Sequence, residues 1–196
     1  MPAEGAARAQ LETALSRADE IIVEGRNRVQ DLRVADGSGD LPALLRERAV
    51  GAGFDPAIPI RIVVEGRPRR VHPLISVELG RIAGEALFNV ARHAKASNVE
   101  ITIRFAARQL GVEIRDDGVG IAEDVLVRGN KPGHFGLIGM RERAERIGAS
   151  FSVESSPGMG SAVTMTLPAR LAFADQAPRR RLLSRLFRRR KESGHA

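Results

Sequence analysis

The spacing of hydrophobic positions along this 196-residue chain changes several times, and each change marks an element. Over residues 6–33, Leu11, Leu15, Ala18, Ile22, Gly25, Val29 and Leu32 alternate spacings of four and three, a heptad seam that predicts a helix. Such a seam suits an amphipathic helix packed on its own domain or a helix paired with another, and the spacing favours the second. Asp36-Gly-Ser-Gly-Asp40 reads as a flexible joint, and a short helix is expected at about 41–51. Pro56 and Pro59 precede a strand over Ile60–Glu65. Gly66-Arg-Pro68 then turns the chain into a short return strand ending at Pro73.

Ile75, Leu79, Ile82, Ala86 and Val90 form the buried stripe of a long helix at about 74–95. The period then shortens to two. Val99, Ile101, Ile103 and Phe105, followed by Leu110, Val112 and Ile114, predict two antiparallel strands, each with one covered face. Residues 121–135 are loop-like, and a helix at about 137–147 is expected to stop at Gly148. Phe151–Ser155 and Ala162–Leu167 close the pattern as a hairpin around Pro157-Gly-Met-Gly160. The fold class these elements predict is α+β, a mixed, largely antiparallel sheet with helices on one face.

Composition narrows the function classes. The chain has no Cys, which removes disulfides, thiolate metal sites and thiol nucleophiles. No run approaches the roughly 18 apolar residues of a membrane span, and the N-terminus shows no apolar secretory core. The net charge of +7 is unevenly placed. Residues 179–191 hold eight Arg or Lys, and residues 1–178 balance 23 basic against 23 acidic groups. A nucleic-acid surface on the folded body is therefore not expected. In the tail, Leu182, Leu183, Leu186 and Phe187 share one face among arginines. That pattern fits either a basic helix on a membrane surface or a solvated segment.

Candidate chemistry lies in three stretches. Glu85, Asn89, Arg92 and His93 are spaced i, i+4, i+7 and i+8, so an α-helix sets them on one face. They are either its solvated side or part of a site. As a site, Asn89 offers a neutral carbonyl oxygen suited to Mg²⁺, which keeps its waters and bridges substrate phosphates. Arg92 can stabilise phosphate charge, and Glu85 can orient or deprotonate a nucleophile. His93 is a phosphate contact or a structural hydrogen-bonder. Asp116 ends a buried strand in Asp116-Asp117-Gly118-Val119-Gly120. A carboxylate there is costly without a partner, and an adenine amino group would supply one where guanine presents a carbonyl. The alternative is a plain carboxylate turn. Gly118 and Gly120 would let backbone approach the base. Gly133 and Gly136 form a loop leading into a helix N-terminus, a place for phosphate oxygens. No GxxxxGK[ST] is present, so this is not a P-loop site.

In their order, these stretches resemble the ATP-binding catalytic domain of a bacterial sensor histidine kinase. That superfamily is shared with DNA gyrase, the heat-shock chaperone ATPase and the mismatch-repair ATPase. Glu85–His93 is similar to the family's N box and Asp116–Gly120 to its first glycine box. Gly133–Met140 with Arg143 resembles the second glycine box, adding His134 and Leu137 to the nucleotide contacts. Ser156-Pro-Gly158-Met-Gly160-Ser161 is similar to the closing motif, with Ser161 in place of the usual Thr. Arg17-Ala-Asp, Glu24-Gly-Arg26 through Arg33, and the lid end at Gly133–Leu137 resemble kinases whose sensor is a periplasmic β-propeller.

The resemblance implies a two-layer α/β sandwich of the Bergerat type, with ATP and Mg²⁺ as cofactors. It implies transfer of the γ-phosphoryl group to a histidine and relay to a response-regulator receiver domain. It divides the chain into a second-dimerisation-helix remnant at 1–35, the ATP-binding domain at 36–172 and a basic tail at 173–196. The acceptor histidine of such kinases lies on the first dimerisation helix. None of His72, His93, His134 and His195 fits that position, so the acceptor is expected on a helix outside this chain. A homodimeric full-length kinase with this part in the cytoplasm is implied. Other readings of the same boxes are a non-catalytic ATP-binding or heterodimerising regulator and a serine kinase of the anti-sigma-factor type.

Overall fold

The computed structural model describes residues 40–121 and 135–174. The expected helix at 6–33, the lid residues 122–134 and the tail beyond 174 lie outside them, as does most of the β-propeller-kinase likeness. The described elements run α1 (Leu41–Gly51), β1 (Ile60–Gly66), α2 (Pro73–Asn89), a π-helical turn (Val90–Ala94), β2 (Val99–Phe105) and β3 (Gln109–Asp116). They continue with α3 (Phe135–Arg146), β4 (Ser150–Ser155), β5 (Ser161–Pro168) and the short α4 (Ala169–Ala172).

The five strands form one sheet in the order β1-β2-β3-β5-β4. Only β1 and β2 are parallel; the other three pairings are antiparallel. Register explains the two layers. Ile62, Ile101, Ile114 and Val163 lie in one row across the sheet, and Val64, Ile103, Val112 and Met165 in the next. These rows face α2, whose Leu79, Ile82 and Leu87 are fully buried, and all but the exposed edge residue Val64 contribute to the core. The opposite face is polar. There Arg104 bonds Glu65 at 2.9 Å and Glu113 at 3.0 Å, and Arg115 bonds Glu113 at 2.9 Å. Among the described residues, helices cover one face only, as the alternation of β2 and β3 predicts.

Local signals set the ends. Asp40 accepts from the Ala43 amide at 3.1 Å and starts α1. At the end of α3, the amide of Ala149 reaches Ala144 O at 2.9 Å and that of Gly148 reaches Glu145 O at 2.9 Å. With φ +73° at Gly148, this is a Schellman stop.

Two expectations need correction. No return strand follows Gly66; over residues 67–73 only Val71 makes a β-bridge, and its partner is Phe173 near the far end of the described chain. Pro68 and Pro73 lack the amides a ladder needs, and β1 already has its neighbour in β2. Nor is residues 74–95 one α-helix. The last turn widens to a π-helix and stops at Lys95, which is left-handed at φ 49°. Phe173, at the start of the expected tail, is 1% exposed and belongs to the core.

Candidate functional site

Asp116 is the buried acid of the described chain, with 5% of its surface exposed. Register causes this. It continues the core-facing series Leu110, Val112, Ile114 of β3, so its carboxylate points into the helix-covered layer beside Ser161 of β5. The Gly118 amide donates to its Oδ1 at 2.8 Å. Burial pushes the Asp116 carboxyl above the usual aspartate range and the neighbouring Asp117 charge adds to this, against the bonds from Gly118 and Ser161.

Ser155, which the sequence reading did not single out, completes this corner. It pairs with Ser161 across the β4–β5 ladder, with the two hydroxyl oxygens 3.0 Å apart. Its Oγ also donates to Gly160 O at 2.8 Å and accepts from the Ile121 amide at 2.8 Å. Two hydroxyl protons thus serve three contacts: Gly160 O, the Ser155–Ser161 pair and the Asp116 carboxylate. With one proton per hydroxyl, the carboxylate is left with capacity for a further donor. The sequence signal for Ser155 was a polar residue continuing the inward phase of Phe151 and Val153 in β4.

The glycines of this corner also let the protein's own backbone close up. A Cβ on Gly118 would overlap the Ala94 carbonyl, and one on Gly120 the Ser156 carbonyl. The π-turn makes this contact: the Ala94 carbonyl accepts the Val119 amide at 2.8 Å. On the other side, the Gly158 amide donates to Val119 O at 2.7 Å and that of Gly160 to Gly118 O at 2.9 Å. Asp117 braces the same segment. Its carboxylate accepts from the Ser97 amide at 2.7 Å and the Asn98 amide at 2.8 Å, and the Asn98 amide bond holds the Asp117 carboxyl below the usual range.

Glu85 and Asn89 are half-buried on α2, and the start of α3 closes against them. A Cβ on Gly136 would lie 2.5 Å from Glu85 Oε1 and 3.3 Å from Asn89 Nδ2. Gly136 therefore allows the start of α3 to reach these side chains. Leu137 packs on the core just behind. Arg92 and His93 are exposed and belong to the π-turn, with the Arg92 guanidinium 5.1 Å over the Phe88 ring. Gly133 and His134 lie outside the described residues.

Asn89 sits one turn before Ala94, and Ala94 holds the segment that follows Asp116. One continuous wall thus runs from the buried carboxylate to the amide and helix N-terminus. Among the described residues, no group of three or more His, Cys, Asp or Glu could hold a metal ion. A cation at Asn89 would draw most of its ligands from phosphates and water, the mode that suits Mg²⁺. The donor set fits that ion.

Known proteins resemble this chain. Residues 75–171 match the family model described as histidine kinase-, DNA gyrase B-, and HSP90-like ATPase. The nitrate/nitrite sensor protein NarX of Escherichia coli is 30% identical over 135 residues, 69% of this chain and 21% of that protein. Sensor protein VraS of Staphylococcus saprophyticus is 31% identical over 65% of this chain and 38% of its own length. Sensor histidine kinase LiaS of Bacillus subtilis is 34% identical over 56% of this chain and 29% of its own. The chain thus spans about a fifth to two fifths of these relatives. Among solved structures, the histidine kinase domain of a blue-light activated histidine kinase from Erythrobacter litoralis superposes with a TM-score of 0.54. It shares 23% identity, covering 67% of this chain and 63% of that one, a likeness of fold. Among the described residues, no helix is long and apolar enough to cross a membrane.

Proposed function

Because this chain, through residues 75–171, belongs to the histidine kinase-, DNA gyrase B- and HSP90-like ATPases, we propose that it is the ATP-binding catalytic domain of a two-component sensor histidine kinase. The observation that carries the reading is the buried Asp116 carboxylate, which keeps acceptor capacity at the end of an apolar row. An adenine amino group donates there; a guanine carbonyl would meet it with repulsion. Ser161 and Ser155 hold the carboxylate in place, and Gly118 and Gly120 keep the wall beside the base free of side chains.

The phosphates would lie along Asn89, Arg92 and His93 toward Gly136 at the start of α3, with Gly133 and His134 as further candidate contacts. Mg²⁺ would be held by the Asn89 amide oxygen and would supply neutralisation of phosphate charge. Glu85, held at Gly136, orients or deprotonates the incoming nucleophile. Transfer of the γ-phosphoryl group needs the acceptor nitrogen close and in line. That acceptor is a histidine on a separate dimerisation helix, and the phosphoryl group passes on to a receiver-domain aspartate. Residues 36–172, closed by the buried Phe173, are the ATP-binding unit, residues 1–35 are a dimerisation-helix remnant of a homodimeric kinase, and the whole works on the cytoplasmic side. A membrane surface is a further partner of the basic tail.

Titration calorimetry with ATP and GTP, each with and without Mg²⁺, tests the reading. ATP should bind with clear preference, and Asp116→Ala should remove it. Asn89→Ala should abolish only the Mg²⁺-dependent part. Equal GTP affinity, or undiminished ATP binding by Asp116→Ala, would overturn the proposal.

A further inference from the structure

The chain leaves the π-turn through a conformation that its own residue does not favour. Lys95 has φ 49°, and among the described residues no other non-glycine has a positive φ. A residue with a Cβ holds such a conformation only where its surroundings impose it. Contacts on both sides of Lys95 do so. Before it, the Ala94 carbonyl accepts the Val119 amide at 2.8 Å. After it, the Ser97 and Asn98 amides donate to Asp117 Oδ1 at 2.7 and 2.8 Å, and the Asn98 side-chain amide donates to Asp117 Oδ2 at 3.2 Å. The Asp117 amide completes the clasp by donating to Asn98 O at 3.4 Å.

The two adjacent acids thus point to different places. Asp116 is buried in the corner beside Ser161, whereas Asp117 is exposed and spends its carboxylate on residues 97 and 98. Ala94 and Ala96, on either side of Lys95, are buried, so the turn is anchored while its polar side chains stay outside. Arg92 and His93 belong to that turn. A π-turn bonds i to i+5 in place of i+4, with one more residue in each bonded loop. Arg92 and His93 are therefore rotated from the positions that an uninterrupted α-helix after Asn89 would give them.

We propose that Asp117 is a positioning residue for the phosphate half of the site. By fixing the exit of the π-turn, its carboxylate sets where Arg92 and His93 stand relative to Asn89. This rests on the nucleotide reading above and divides the acidic pair between two tasks: Asp116 reads the base, and Asp117 governs how tightly phosphates are held. Bonds from amides to a carboxylate are stronger than those to a neutral acceptor, which suits a brace that works in solvent. Without them Lys95 can relax toward negative φ and carry the turn with it. The bonds from Gly118 and Ser161 to Asp116 do not involve Asp117, so the base-reading corner keeps its form.

The test compares the full 196-residue wild type with Asp117→Ala and Asp117→Asn. Asparagine keeps an oxygen that accepts from the Ser97 and Asn98 amides, and alanine keeps none. Adenosine affinity is read by ligand-observed NMR and Mg·ATP affinity by calorimetry, each below the thermal midpoint of the variant. Asp117→Ala should lose about tenfold or more in ATP affinity and bind adenosine as the wild type does. Asp117→Asn should recover most of that loss. Asn98→Ala, which removes only the Oδ2 bond, should give the same selective loss in smaller degree, so the test stands if Asp117→Ala does not fold. Without nucleotide, the His93 ring and the Ser97 and Asn98 amides should shift in the NMR spectrum of Asp117→Ala, with β3 and β5 signals in place. Equal losses for adenosine and ATP would make Asp117 a support of the whole corner and overturn the assignment. An unchanged ATP affinity would do the same, as would an Asp117→Asn as impaired as Asp117→Ala. Unmoved His93 signals would overturn the brace itself, whether or not nucleotide binds. A wild type that binds neither ligand, while the His93 signals still shift in the variant, would strike the nucleotide reading and the phosphate role with it, and leave the brace standing.

Discussion

At the Asp116 end of the sheet, backbone meets backbone: Gly118 against Ala94, Gly120 against Ser156, Gly160 against Asp116, each too close for a Cβ. At the opposite end of the sheet, side chains meet side chains: Phe105 on Phe173, and Arg69 over the same ring. The first arrangement fixes geometry and buries a charge, so any added atom disturbs position. The second buries apolar area and leaves its charges in solvent, so lost volume weakens the fold without reshaping anything distant. Function that depends on position belongs at the first end, and stability is the main property of the second.

The sharpest separation comes from Phe173→Ala. Removing a buried ring should cost about 3–5 kcal/mol in urea unfolding. The fraction that stays folded should bind ATP with wild-type affinity. A parallel loss of affinity would mean the two ends are coupled through the sheet.

Gly160→Ala should do the reverse. Gly160 has φ +72°, and its Cβ would overlap the Asp116 carbonyl. A destabilisation of about 2–3 kcal/mol with loss of nucleotide binding is expected. Gly158→Ala is the control. Its φ is +76° with nothing within 4 Å of the added Cβ, so only the backbone strain of about 1–2 kcal/mol should remain and ATP should still bind.

Asp116→Asn separates the site from the fold at a single position. It removes a buried charge while the amide oxygen can still accept from Gly118, so stability without nucleotide should rise. ATP affinity should fall about 100-fold, because an uncharged acceptor reads the adenine amine poorly. A variant that is both less stable and ATP-competent would show the carboxylate to be structural.

The smallest effect is on pH dependence. Burial first, then the Asp117 charge, raises Asp116 above the usual aspartate range. Its contribution to stability is present below that range and lost as pH rises through the raised value. Asp117 is lowered, chiefly by the Asn98 amide. Its contribution is present above the usual range and lost as pH falls through the depressed value. ATP affinity needs Asp116 ionised and should decline on acidification just above the ordinary aspartate range. Calorimetry across pH should show that limb in the wild type and its absence in Asp116→Asn.

The sequence by itself determined the elements whose signal is local. The period-two runs of Val99–Phe105 and Leu110–Ile114, the apolar stripe of α2 and the stop at Gly148 each arise from a few neighbouring residues, and the structure reproduces them. Asp116 was legible because an acid extends an apolar alternation. Tertiary structure decided what depends on distant partners. Residues 67–73 make a clasp to Phe173 instead of a return strand, since both flanking prolines lack amides and the C-terminal stretch supplies the bond. The π-turn at Val90–Ala94 has no local composition signal; the Ala94 carbonyl accepts the Val119 amide, 25 residues on, and crowds Gly118. Ser155 reads as one serine among several until β4 pairs with β5 and brings its hydroxyl to Ser161. Periodicity records which way a side chain points within its own element, whereas the site depends on which elements become neighbours.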